Sequence, residues 1–131
     1  MSQRAVVAVI AALVFSWLVV AEARAGVTKP IRFAPGTSSG VVEGSVVRGE
    51  SDIYTLKAKT GQQMNVRITS VEDNAVFQIF QPGAGQKALP GAADGQDAKT
   101  WKGKLPATGE YRIVVGGTRG NCSYKLTVTI K

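Results

Sequence analysis

From Cys122 to Ile130 the side chains alternate between apolar and polar without a break. Cys122, Tyr124, Leu126, Val128 and Ile130 fall on one side; Ser123, Lys125, Thr127 and Thr129 fall on the other. A period of two sends successive side chains to opposite faces of an extended chain, so this stretch predicts a half-buried β-strand and excludes an amphipathic helix. The same period recurs upstream. Gln63–Ser70 turns Met64, Val66 and Ile68 one way and Asn65, Arg67 and Thr69 the other. Asp52–Ala58 sets Tyr54, Leu56 and Ala58 against Thr55 and Lys57, and Glu110–Val115 gathers Tyr111, Ile113 and Val115 on one face.

Gly, Pro and polar turn residues interrupt these runs roughly every eight to twelve residues, as they do in sandwiches and barrels. Further strands are predicted over Ile31–Ala34, Gly40–Val47, Ala75–Gln81 and Ala98–Leu105. Gly44, inside the second, reads as a bulge or bend. In Ala75–Gln81, Val76 and Phe80 make the second face apolar too, which predicts cover on both sides. No segment carries a 3.6-residue apolar period. About eight short strands and no helix predict an all-β, single antiparallel two-sheet sandwich, jelly-roll-like. The pattern does not contain the strand pairing.

Residues 1–25 read as a targeting segment. Arg4 lies in a short basic start, and Ala5–Ala21 is apolar apart from Ser16. Ala23-Arg24-Ala25 then has the small-x-small spacing of a signal peptidase site. The expectation is a signal peptide over 1–25, export, and one β-sandwich domain over 26–131 with no membrane segment after cleavage. Taking Arg4, Arg24 and Glu22 from the 16 basic and 9 acidic residues leaves 14 against 8, or +6. No run of four or more Lys or Arg appears in the sequence. Export and dispersed charge argue against a nucleic-acid partner.

Cys122 is the only cysteine. In an oxidising compartment it cannot form an internal bridge. It is either a small buried apolar residue or a thiol able to link two chains, so the protein is a monomer or a Cys122-linked dimer. Histidine is absent, which removes Ser-His-Asp and Cys-His nucleophile systems and the usual zinc and copper sites. No phosphate-binding glycine loop is present. The carboxylates fall mostly at turns and strand ends. Asp94 and Asp97, in the long loop, are the pair to weigh for calcium, against the plainer reading of a polar loop. No catalytic residues, metal or cofactor are expected.

Recognition is what is left, and binding residues concentrate on loops. The hairpin tip Gly116–Asn121 presents Arg119 between glycines that leave it no neighbour to pack on. A projecting guanidinium can grip a carboxylate at two points. Thr37-Ser38-Ser39-Gly40 is a second polar loop. Pro82–Asp97, rich in Gly, Ala, Pro and Gln, is the longest loop and reads as mobile or functional. Trp101 is open between a core position and a platform for a sugar ring, while Tyr111 reads as core.

Several of these motifs together resemble a known family. Phe33, Gly36-Thr37-Ser38-Ser39, Gly44, the run Asp52–Gln62, Gln81-Pro82-Gly83, Leu105–Tyr111, Thr118-Arg119 and Tyr124–Val128 are similar to the periplasmic inhibitors of g-type lysozyme, small relatives of the bacterial pre-peptidase C-terminal domain. The likeness spans nearly all of residues 31–131. It implies a non-enzymatic sandwich located in the periplasm whose partner is a g-type lysozyme. It also implies a basic loop before the last strand that enters the enzyme's acidic cleft, where Arg119 is the matching residue. The partner-binding set is then Arg119, Thr118, Gly120 and Asn121 at the tip, with Ser38 and Ser39 in the first polar loop. The alternative is a cell-envelope module of the same fold that binds a glycan or another envelope protein without inhibiting anything.

Overall fold

The computed structural model describes residues 26–33 and 36–131, so the expected signal segment lies outside the described residues. Eight strands form: β1 Thr28–Pro30, β2 Ser39–Val46, β3 Asp52–Ala58, β4 Gln63–Ser70, β5 Ala75–Phe80, β6 Thr100–Lys104, β7 Gly109–Gly117 and β8 Cys122–Ile130. The described residues contain no helix. They make two four-stranded sheets, ordered β1-β3-β7-β5 and β2-β8-β4-β6.

The pairing is nested. β2 pairs with β8, β3 with β7 and β4 with β6, all antiparallel. A long hairpin rolled up on itself gives this arrangement, and it is the jelly-roll pattern. β5 stands at the centre of the nest with no paired strand of its own on its outer edge.

The chain from Gln81 to Lys99 fills that gap. Phe77 N–H donates to the Ala98 carbonyl at 2.9 Å, Ile79 N–H to Ala92 at 3.0 Å, and Gln81 N–H to Lys87 at 2.8 Å; Leu89 N–H returns to the Ile79 carbonyl at 2.8 Å. Leu89, Ala92 and Ala98 are buried. The expected mobile or functional loop is instead a broken strand that covers a sheet edge, the device that keeps an edge from pairing with another chain.

The alternation seen in the sequence is the inside-outside alternation of the sandwich. Met64, Val66 and Ile68 meet Leu126, Val128 and Ile130 within one sheet, and Tyr54, Leu56, Tyr111, Ile113, Val115, Phe77 and Ile79 face them from the other. The first strand differs from expectation. It is Thr28–Pro30, parallel to β3, and not Ile31–Ala34. Three exposed residues with no apolar signal become a strand because the open edge of β3 offers them hydrogen bonds. Ile31 continues the contact, donating its N–H to Thr55 at 2.8 Å, but its side chain turns into the core. Val76 and Phe80 are only half-covered, with the Arg112 guanidinium 5.6 Å from the Phe80 ring centre.

Gly44 is not at a bulge, because the β2–β8 register runs unbroken from Ser39↔Thr129 to Val46↔Cys122. It is glycine because two phenols lie above it. A Cβ there would come within 2.7 Å of the Tyr124 hydroxyl and 3.2 Å of the Tyr54 hydroxyl. Tyr124 donates to Asp52 Oδ2 at 2.5 Å, and Tyr54 and Tyr124 share a second 2.5 Å bond. Tyr124 has one proton and gives it to Asp52, so Tyr54 is the donor in the second bond. Val27 N–H serves the other Asp52 oxygen at 3.0 Å, which ties the start of the described chain to both sheets.

Candidate functional site

Three turns converge at one end of the sandwich. They are Val47–Ser51 between β2 and β3, Val71–Asn74 between β4 and β5, and Thr118–Asn121 between β7 and β8. The last carries Arg119 and is short because β7 runs on to Gly117. Gly120 takes φ +69°, the left-handed region, and closes the turn.

Asn74 organises this end. It is 2 % exposed, one of two buried polar residues among the described residues. Its side-chain amide uses both protons on the tip, donating to the Arg119 and Asn121 carbonyls at 3.1 Å each. Its own carbonyl accepts from Thr118 N–H at 2.9 Å. Its N–H donates to Ser70 Oγ at 3.0 Å, which fixes the turn that carries it. The third turn joins through Asn121, whose Oδ1 accepts from Arg48 N–H at 2.7 Å. In the sequence, Asn74 is one of three polar residues, Glu72-Asp73-Asn74, that mark a turn between two strands. The signal that could have singled it out is an Asn directly before the buried strand Ala75–Phe80, too short to reach water once that strand is covered.

The tip is thus stapled, and Arg119 differs from its expected state in one respect. Its side chain is exposed but has a neighbour: Nη2 donates to the Glu72 carbonyl at 3.0 Å. One edge of the guanidinium is held and the rest faces solvent. Glu50, Glu72 and Asp73 stand among the same turns as Arg48 and Arg119, and Asp73 pairs with Lys99 at 2.9 Å. This end is therefore not a broad cationic patch, and Arg119 must act by position.

Between the turns runs a shallow groove of about 300 Å³, lined by Val46, Val47, Val71, Asn74, Asn121 and Cys122 among others. Val47 and Val71 flank it as exposed apolar side chains, 51 % and 96 % accessible. Cys122 at its floor is buried and free. Burial pushes its thiol pKa up, which lowers its nucleophilic thiolate fraction.

Ser38 and Ser39 lie at the other end. Ser39 pairs with Thr129, whereas the tip adjoins Cys122. Seven residues of strand separate them, roughly 23 Å at about 3.3 Å per residue. The structure brings Thr118, Arg119, Gly120 and Asn121 together and leaves Ser38 and Ser39 apart from them. Ser39 Oγ lies 3.4 Å from Thr129 Oγ1, and the Ser38 carbonyl accepts from Ile130 N–H at 2.8 Å.

Trp101 is half-buried and turned inward, since its register partner is the buried Val66. Its ring lies along its own strand over Gly103, where a Cβ would meet the indole at 2.9 Å. Its N–H donates to the Pro90 carbonyl at 2.8 Å, so it anchors the edge-covering loop. Asp94 accepts from Gln78 Nε2 at 3.1 Å. No group of three or more His, Cys, Asp or Glu suited to a metal occurs among the described residues.

The described residues thus form a nested sandwich, an all-β module whose turns at one end are joined by hydrogen bonds around Arg119. Solved structures place it more closely. The chain is 37 % identical to PliG of Aeromonas hydrophila, a periplasmic lysozyme inhibitor of g-type lysozyme, over 82 % of this chain and 100 % of that one, with a TM-score of 0.70. It is 27 % identical to a mutant of the Escherichia coli PliG, covering 82 % of this chain and 100 % of that one at a TM-score of 0.65. A pre-peptidase C-terminal domain of a Bacillus anthracis collagenase shares the fold at 15 % identity and a TM-score of 0.55, covering 84 % and 99 % of the two chains. No family model matches the chain, and no curated protein matches it. The chain belongs to the family of periplasmic inhibitors of g-type lysozyme, whose members act on an enzyme and are not themselves enzymes.

Proposed function

We propose that this protein inhibits g-type lysozyme in the periplasm, after removal of residues 1–25, by placing the Thr118–Asn121 tip in the enzyme's cleft. The observation that carries the reading is the likeness to the Aeromonas inhibitor over that protein's whole length. The stapled tip supports it. A loop already fixed by Asn74 loses little conformational freedom on binding. Arg119 keeps N–H donors free for a carboxylate, and glycoside hydrolases of this kind work with paired carboxyl groups. Val47 and Val71 supply apolar contact beside it and help exclude water from the guanidinium.

The alternative of a glycan-stacking module is disfavoured by Trp101, whose ring packs inward and whose N–H is already bonded. The test is lysis of peptidoglycan by g-type lysozyme with and without the purified protein, with c-type and i-type enzymes as controls. Selective loss of g-type activity near one-to-one stoichiometry is expected. Full activity of all three enzymes in a large excess of the protein would overturn the proposal.

A further inference from the structure

The sequence has no run of basic residues, but the fold assembles one. The outer face of the β2-β8-β4-β6 sheet collects the exposed side chains that alternate with the core. Lys125 on β8, Arg67 on β4, and Lys102 and Lys104 on β6 are all exposed there. The register sets their order. Lys125 stands opposite Thr69 and Arg67 opposite Thr127, so Lys125 and Arg67 are diagonal neighbours. Arg67 stands opposite Thr100 and Asn65 opposite Lys102, so Arg67 and Lys102 are diagonal neighbours too. Diagonal positions in a sheet lie about 7–8 Å apart, and Lys104 extends the line by two residues, about 7 Å. Four cations thus form an oblique track roughly 22 Å long. One carboxylate shares the face, Glu43 on β2, opposite Lys125.

The groups between the cations are hydroxyls and an amide: Thr69, Thr127, Thr100 and Asn65. Arg67, Thr69, Lys125 and Thr127 surround a shallow depression of about 220 Å³. Two exposed valines stand at its margin, Val41 opposite Thr127 and Val71 two residues beyond Thr69, but the track itself carries no aromatic or large aliphatic anchor. A protein partner is usually anchored by such groups, and a membrane surface is usually entered by them. A line of charges interleaved with short hydrogen-bonding groups instead complements an extended chain that carries regular negative charge and many hydroxyls.

We infer that this face is a docking surface for an anionic polysaccharide. It lies on the side of the sandwich; its Lys125 end reaches Val71 at the margin of the Arg119 turns, and its Lys104 end points away from them. The inference does not depend on lysozyme inhibition. The test is binding of the purified protein to fluorescently labelled dextran sulfate at physiological ionic strength. Neutral dextran of equal length and vesicles containing phosphatidylglycerol serve as comparisons. Saturable binding to dextran sulfate alone is expected, with the logarithm of affinity falling linearly against the logarithm of salt concentration, as for other polyanions. The double variant Arg67→Gln/Lys102→Gln should weaken binding by about tenfold or more. Lys57→Gln/Lys87→Gln, which removes the same charge from other faces, should change it by less than about twofold. Equal losses in the two variants, no saturable binding, or equally tight binding to the vesicles would each overturn the assignment.

Discussion

The two ends of the sandwich carry turns of similar length and polarity, yet they are held in different ways. At the Arg119 end the side-chain bonds join turns far apart in sequence: Asn74 to Arg119 and Asn121, and Asn121 to Arg48. At the Ser38 end most such bonds stay within one turn. Lys59 N–H donates to Gln62 Oε1, and Tyr111 donates to the Ala107 carbonyl at 2.6 Å while accepting from its N–H. Three side-chain bonds there are long-range, Thr60 N–H to Thr108 Oγ1, Thr60 Oγ1 to the Leu105 carbonyl and Ser39 Oγ with Thr129 Oγ1, but none of them is made by a buried side chain as Asn74's are. Local bonds shape each turn by itself. Long-range bonds also fix the turns relative to one another, which a rigid contact surface requires.

Asn74→Ala should break this contrast most severely. It removes both donors from the part-buried Arg119 and Asn121 carbonyls and the buried amide that joins them, which costs about 1–3 kcal/mol. Chemical denaturation should show that loss, and lysozyme inhibition should fall further than the unfolded fraction explains. Tyr124→Phe comes next at about 1–3 kcal/mol, because Asp52 and Tyr54 both lose a buried partner. Burial, reinforced by the bonds to Asp52 and Tyr54, holds the Tyr124 hydroxyl far above the ordinary phenol value of 10.0, and Tyr54 is raised as well. A raised pKa stabilises the fold fully below the unfolded value and loses that contribution as pH rises past it. Wild-type stability should therefore decline above about pH 10, and Tyr124→Phe should flatten that decline.

Arg119→Ala separates function from folding. Inhibition should drop by about tenfold or more, equivalent to about 1.4 kcal/mol. The melting midpoint should stay put, since the side chain is exposed. At the far end, Ser38→Ala/Ser39→Ala should shift stability by less than about 0.5 kcal/mol, with inhibition unchanged. If the serine pair weakened inhibition as much as Arg119→Ala, the contact surface would have to span both ends.

The sequence made much of this legible where one strand's own pattern decides. Asp52–Ala58, Gln63–Ser70 and Cys122–Ile130 have the bounds that alternation predicts. What escaped depends on neighbours. Thr28–Pro30 becomes a strand only because β3 has an open edge, and Gln81–Lys99 lines up along β5 because β5 has one too. The cationic track needs the register of three strands, which no single strand encodes. Asn74 looked like any turn Asn because its importance lies in what the fold stacks over it.

The last strand sits between β2 and β4 and not at an edge, and Ser39 meets a partner 90 residues later. Neither β2 nor β4 can complete its ladder until β8 is available. Half of the sandwich therefore assembles only when the C-terminal strand is in place. Until then the two earlier strands expose unpaired backbone, when off-pathway association is most dangerous. Such distant pairing also places the domain among slow folders. The arrangement delays the native state until the whole domain is present.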